Sequence, residues 1–197
     1  MDFAEVVRKR RMVRNYDASQ PVAREVLERI AAAAQRAPSA GFSQGQRLVV
    51  VTDPDVRRRI AELANEDAFV AAGFDPWVSR APALIVPCIS EAIYHRRYQE
   101  PDKLQEDGTE IDWPIPYWYM DIGATALLVH QAAISEGLAA GYLGLGDYSD
   151  LKALLGIPAD MQPVGIITIG YPLPDRRSGS LKRGWVAKDE FAHWEKW

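Results

Sequence analysis

Apolar residues recur with a helical period in some stretches of this chain and run unbroken in others, and the two patterns divide it into elements. Asp2-Phe-Ala-Glu5 reads as a capping box, with Phe3, Val6 and Val7 on one face, and predicts a first helix ending near Arg11. Pro21 precedes a second helix over about 22–36, where Val26, Leu27, Ile30, Ala31 and Ala34 keep helical spacing until Pro38 closes it. The β-branched run Arg47-Leu-Val-Val-Val-Thr52 predicts a buried strand, and Asp53-Pro54 turns the chain into a charged helix over about 55–65. A second strand is expected over 83–89. From 118 to 136 the chain is apolar nearly all round, which marks a buried central helix stopped by Gly137. Strand-like 138–145, a short helix to Leu155 capped by Asp147 or Ser149, and a core strand over 164–169 complete the pattern.

Two segments escape it. Residues 98–117 are acidic and then aromatic, ending in Trp113-Pro-Ile-Pro-Tyr-Trp-Tyr119, and read as a lid-like loop. Residues 173–197 carry little regular signal and are expected to extend over something else. Strands and helices do not alternate regularly, so an α+β layered fold fits better than a doubly wound parallel sheet.

With 197 residues and no internal repeat, one domain spanning 1–197 suffices. A composition 48% hydrophobic and 25% charged excludes a disordered or collagen-like chain. The net charge of −4 argues against nonspecific nucleic-acid binding. Cations nevertheless crowd both ends: Arg8, Lys9, Arg10, Arg11 and Arg14 at one, Arg176, Arg177, Lys182 and Arg183 at the other. Two positive clusters in an acidic chain suggest a small anionic ligand. The single cysteine, Cys88, lies in a strand-type apolar run and reads as a buried, inert thiol. No stretch resembles a signal peptide or reaches membrane-spanning length, so the expected location is the cytoplasm, with no membrane partner.

His95, His130 and His193 lie far apart without metal-ligand spacing, and no metal is expected. There is no nucleophile elbow and no phosphate loop. Gly144-Leu-Gly146 approaches a dinucleotide fingerprint, but Ser149 stands at the third glycine and no acidic residue follows at the ribose distance. Redox chemistry, if present, needs a cofactor held another way.

Five segments in order supply one. Arg10-Arg11-Met12-Val13-Arg14, Ala37-Pro-Ser-Ala-Gly-Phe-Ser-Gln44, Gly137-Leu-Ala-Ala-Gly-Tyr-Leu-Gly144, Leu154-Leu-Gly-Ile-Pro158 and Gly170-Tyr-Pro172 with the basic tail resemble the nitroreductase family of FMN enzymes. The resemblance is weakest over about 66–116. It implies a three-layer α-β-α fold with a mixed or antiparallel central sheet flanked by helices, in an interlocked homodimer. By the same match, Arg10, Lys182 and Arg183 would grip the FMN phosphate, with Arg11, Met12, Ala40 and Leu143 also against the cofactor. Arg14 would stand beside the flavin N1 and C2 carbonyl, where a cation favours the reduced anion. Pro38, Ser39, Phe42 and Gln44 match a loop that crosses to the partner's flavin, and the Gly144 amide matches a position facing N5. The sequence departs from the pattern at Met12, where serine is usual, at Phe42 for asparagine, and at Gly45-Gln46 for proline-tryptophan.

Without the resemblance and the second cationic cluster, the favoured reading of Arg10 and Arg11 is as cations closing a helix C-terminus. Trp113, Tyr117, Trp118 and Tyr119 could wall a substrate or simply pack. The reading favoured by all of these features is an FMN oxidoreductase. Hydride would pass from transiently bound NAD(P)H through flavin N5 to an electron-poor small molecule (nitroaromatic, quinone or activated alkene) by a ping-pong scheme. The alternatives are a specialised relative (dehydrogenase, dehalogenase or flavin-degrading enzyme) and a non-catalytic binder of a phosphorylated ligand.

Overall fold

The computed structural model describes all 197 residues. Its helices are α1 (Phe3–Lys9), α2 (Arg24–Ala34), α3 (Pro54–Leu63), α4 (Glu66–Ala71), α5 (Trp77–Arg80), α6 (Glu91–Tyr98), α7 (Tyr117–Ser135), α8 (Ser149–Leu155) and α9 (Lys188–Phe191). The strands are β1 (Gln46–Val51), β2 (Ala83–Ile89), β3 (Ala139–Leu143), β4 (Gln162–Pro163) and β5 (Ile166–Gly170). They form one sheet in the order β1-β2-β5-β3, with β4 also on β2, and every pairing is antiparallel.

Strand pleating sends neighbouring residues to opposite faces, and here both faces are covered. Leu84, Val86 and Cys88 of β2 join Ile60, Trp77, Val78 and Leu151 in a core beneath α3, α5 and α8. Ala83 and Ile85 join Leu27, Ile30, Val129 and Ala133 in a second core beneath α2 and α7. Helix, sheet and helix make three layers. Burial of β2 along its whole length explains why its sequence is a continuous apolar run rather than an alternation.

Local chemistry sets the element ends. The Asp2 carboxylate accepts from the Glu5 amide, and α1 stops two residues short of the expected end, with Arg10 as its C-cap. Asp53 accepts from the amides of Asp55 and Val56 ahead of Pro54, which needs no partner at the first helical position. Gly137, at φ +80°, ends α7: its amide reaches the Ile134 carbonyl and the Leu138 amide that of Ala133, a Schellman closure. Helices α4, α5 and α6 were not predicted by periodicity. The first two have six and four residues, and α6 mixes Tyr, His and Arg on all sides.

The segment after α6 is pinned rather than loose. Glu110 accepts from the Trp113 indole at 2.6 Å and meets His95 Nδ1 at 2.7 Å, while His95 Nε2 lies 3.4 Å from Glu91. Trp113 packs against Tyr98, His95, Tyr94, Trp118 and Tyr117.

Two apolar surfaces stay uncovered. On α7, Met120 and Leu127 are 58% and 48% exposed on the turns flanking exposed Gly123. In the tail, Trp185, Phe191, Trp194 and Trp197 are each more than 80% exposed. No helix is long and apolar enough to cross a membrane.

Two histidines report this packing through pH. Burial on the inward side of α7, with the nearby Arg10 charge, pushes His130 down to about 4. Above about pH 6.5 the imidazole is neutral folded and unfolded. Below it only the unfolded chain gains the proton, so stability falls with pH until about 4, by about 3 kcal/mol. Denaturant titration at pH 7 and 4.5 is expected to show a smaller loss for His130→Leu than for the parent; equal losses contradict this. His95 moves the other way, raised chiefly by its bond to Glu110. Its contribution is present below its unfolded value and is lost as pH rises through the folded one. Glu110→Gln should therefore lower the His95 titration midpoint followed by NMR, and an unchanged midpoint excludes the clasp.

Candidate active site

The two ends of the chain meet at one carboxylate. Asp175, its side chain 3% exposed, accepts from Arg11 Nη1 at 2.6 Å and from the Arg14 amide at 2.9 Å. Around it the Asn15 side chain donates to the Pro174 carbonyl, the Leu173 amide to Asn15 and the Asp17 amide to Tyr171. The same N-terminal segment lies along β3, where the Val13 amide donates to the Ala140 carbonyl. At Gly141 a Cβ would stand 2.5 Å from the Val13 carbonyl oxygen, so only glycine permits this approach.

This arrangement leaves specific cations free. Arg11 is neutralised by Asp175, but neither Arg10 nor Arg14 has a carboxylate partner among the ion pairs. The Arg14 guanidinium stands over the rings of Trp77 and Phe74, 5.6 and 5.8 Å from their centroids. Arg10 is half-buried at the end of α1 and its charge is felt by His130 on α7. Two buried polar atoms near Arg14, Asn15 Oδ1 and Trp77 Nε1, have no hydrogen-bond partner. Farther along β3 from the Ala140 contact, the strand ends with buried Leu143 and exposed Gly144, whose Cβ position is open to within 3.5 Å of Tyr148 Oη. Unpaired cations, orphaned polar atoms and an open glycine at a strand end fit an anionic ligand with a flat polar ring.

Met12 is 38% exposed beside Arg11. Lys182 and Arg183 lie farther along, on an exposed turn over Gly179–Arg183, and form no ion pair. The meeting of the two ends is therefore made by Arg11, Arg14 and Asp175.

The predicted loop 38–44 stands elsewhere. Its bonds run to α6 and α7: the Ala40 amide donates to Asp121 Oδ2 at 2.9 Å, and Arg97 Nε donates to the Gly41 carbonyl at 3.0 Å. Ser39 Oγ accepts from the Gln44 amide, and the Pro38 carbonyl from Gln46. No hydrogen bond joins this loop to Arg10–Arg14 or to Gly144. Phe42 and Gln44 both adopt positive φ, +55° and +53°, and Phe42 is 75% exposed. With Ser43, Gln46, Ala31 of α2, its C-cap Gln35, and Thr125, they border a cleft of about 750 Å³.

Trp113 and Tyr117 are half-buried in the aromatic cluster over α6, and Trp118 is buried at its base. Asp175, Asp121, Tyr94 and Arg97 went unnoticed in the sequence. Only Asp121 carried a visible signal, as a lone acid in the first turns of an otherwise apolar helix. Burial lifts the Cys88 thiol to about 11, which removes it as a nucleophile at neutral pH.

Comparison with known proteins identifies the family and the fold. A sequence profile of the Nitroreductase family matches residues 7–171. An FMN reductase [NAD(P)H] of Bacillus subtilis is 29% identical over 82% of this chain, which spans only 62% of that protein's length. An NADH dehydrogenase of Thermus thermophilus is 28% identical, with 87% of each chain covered. A nitroreductase from Exiguobacterium sibiricum, solved in complex with FMN, superposes with a TM-score of 0.77 at 18% identity, covering 99% of this chain and 98% of that one. At that identity the superposition establishes the fold alone. The profile match covers most of the chain, from α1 to the end of β5, and on that ground the chain belongs to the nitroreductase family.

Proposed function

We propose that this chain is an FMN-dependent oxidoreductase, working as a homodimer in the cytoplasm, that carries hydride from NAD(P)H to an electron-poor acceptor such as a nitroaromatic, a quinone or an activated alkene. The observation that carries this reading is the pair of unpaired arginines, Arg10 and Arg14, on a segment whose Val13 lies along strand β3. Bound FMN supplies the two-electron chemistry, which side chains cannot.

The residues then take these roles. Arg10, joined by Lys182 and Arg183 from the tail, neutralises the phosphate dianion, for which several charge-assisted donors are needed. Arg11 and Met12 lie beside it. Arg14, held by its amide on Asp175 and by its guanidinium over two rings, offers a fixed cation to charge developing at the N1 edge. Leu143 and Gly144 let backbone approach the reactive edge of the ring. Pro38, Ser39, Ala40, Phe42 and Gln44 belong to the cofactor-facing surface of the opposite subunit. Trp113, Tyr117 and Trp118 back the acceptor side. Nicotinamide and acceptor take turns in one space, so no separate dinucleotide fold is required.

The dimer rests on two supports. The uncovered apolar turns of α7 and the exposed tail rings are surfaces that a second copy would bury. The loop 38–44 and the Arg10–Arg14 corner are also separate within one chain, so a partner loop can complete each corner.

Purified protein is expected to be yellow, or to bind added FMN, and to oxidise NADH or NADPH in the presence of a nitroaromatic or quinone; colourless protein that ignores FMN overturns the reading. Arg14→Ala should weaken FMN binding by roughly 10–100-fold, the worth of one charge-assisted bond at about 1.5–3 kcal/mol; unchanged affinity by fluorescence titration removes Arg14 from the site. Light scattering should give twice the chain mass of 22.0 kDa. Leu127→Glu should lower it towards the monomer, and a monomeric parent that retains flavin contradicts the shared site.

A further inference from the structure

We infer that Asp121 and Arg97 are positioning residues for the loop 38–44, gripping neighbouring residues of its backbone with opposite charges so that Phe42 and Gln44 are presented outward in a fixed conformation. The inference deepens the function proposed above, since it rests on that loop facing the cofactor.

Asp121, in the second turn of α7, is 8% exposed and forms no ion pair. A buried carboxylate without a cation is unfavourable unless donors surround it. One of its oxygens accepts two hydrogen bonds, from Tyr94 Oη at 2.7 Å and from the Ala40 amide at 2.9 Å. Tyr94 is itself fully buried on α6. The anion therefore ties three elements to one point: α7, α6 and the loop.

The opposite pull comes one residue later. Arg97 Nε donates to the Gly41 carbonyl, while Nη1 and Nη2 hold Asp102 in a two-pronged grip at 2.7 Å each, and Nη1 also reaches Glu100. A planar guanidinium fixed on one side by a carboxylate has little freedom to release the carbonyl on the other. Between the two grips Gly41 sits at φ +58°, and a Cβ there would come within 2.6 Å of the Tyr98 ring, so only glycine permits the loop this close to α6.

The strain lies next to these anchors. Two non-glycine residues, Phe42 and Gln44, occupy the left-handed region within three positions, each at a cost of order 1–3 kcal/mol. Strain of this kind persists only where the surroundings over-determine it. Its product is a phenylalanine ring mostly in solvent at the rim of the 750 Å³ cleft. A loop needed only to join α2 to β1 has no use for a buried unpaired anion, a shared arginine and two strained residues. A surface held ready for a bound ring does, because pre-shaping removes the ordering penalty from binding. Arg97 also joins the loop to Asp102, so the cofactor-facing loop and the start of the 99–116 segment share one guanidinium.

The test uses the full-length protein and two readouts on Asp121→Asn, Arg97→Ala and Arg97→Lys. Hydrogen exchange of peptides covering 38–45, read without flavin, should accelerate at least tenfold in Asp121→Asn and Arg97→Ala, while β2 peptides stay protected. FMN affinity by fluorescence titration should fall about five- to tenfold in the same two variants. Arg97→Lys, which keeps the charge but cannot hold carbonyl and carboxylate together, should recover only part of both. Unchanged exchange in both variants overturns the anchoring. Faster exchange with unchanged FMN affinity overturns the link to the cofactor. A parent protein that binds no FMN defeats the functional reading itself, and with it the cofactor half of the inference, while the exchange readout still decides the anchoring.

Discussion

Everything at the candidate site depends on where Asp175 stands. Its carboxylate takes one hydrogen bond from a side chain, Arg11, and one from a backbone amide, that of Arg14. The partners are more than 160 residues apart in sequence, so the contact closes nearly the whole chain. It also selects among the N-terminal cations. By pairing with Arg11, Asp175 removes one positive charge from competition for a ligand, and by holding the Arg14 amide it fixes the backbone from which the Arg14 guanidinium projects. The isolated bridge between Tyr16 and Pro172 extends the same suture toward the core.

The sheet explains why this corner can be both rigid and open. Both of its faces are filled, and β3 is paired along its length with β5. Val13 hydrogen-bonds to the β3 backbone, and Gly141 permits that closeness. The N-terminal segment thus borrows its order from the sheet without becoming a regular strand. Just past Leu143 the pairing stops, and at Gly144 the backbone is released to solvent. A charge fixed on backbone that the sheet and Asp175 hold in place is the arrangement that preorganised electrostatics requires.

Most of the framework was legible in the sequence because it follows from burial. Strand β2 falls on the predicted residues, and the ends of α7 lie within a residue of expectation, since an unbroken apolar run and a Schellman glycine leave little choice. The helices on either side of β2, between 64 and 98, were not legible. Helices α4 and α5 are too short to show a period, and in Glu91–Tyr98 the residues that make α6 useful, Tyr94, His95 and Arg97, are those that blur an amphipathic pattern. At the site, the cationic clusters were visible as composition. Their division into a neutralised Arg11 and open Arg10 and Arg14 was not, because it depends on Asp175, an acid unremarkable in the Pro172–Arg177 stretch. Asp121 stood out only as a polar interruption, and nothing in sequence separates such an acid from one that merely faces water.

The departures from the family pattern take on a physical meaning in this setting. Met12 occupies a position where serine is usual, yet its neighbours Arg11 and Arg14 are already fixed by Asp175, so the segment does not need a hydroxyl to hold its shape. At position 42, an asparagine would adopt the left-handed conformation with little strain, and phenylalanine does so less readily. With phenylalanine in that conformation, the shape of the loop rests on its anchors rather than on the residue. Asp121, Tyr94 and Arg97 supply those anchors from two helices. A polar contact and an aromatic wall are different surfaces to present to a ring system. The aromatic one excludes water and favours flat, apolar partners over hydrogen-bonding ones.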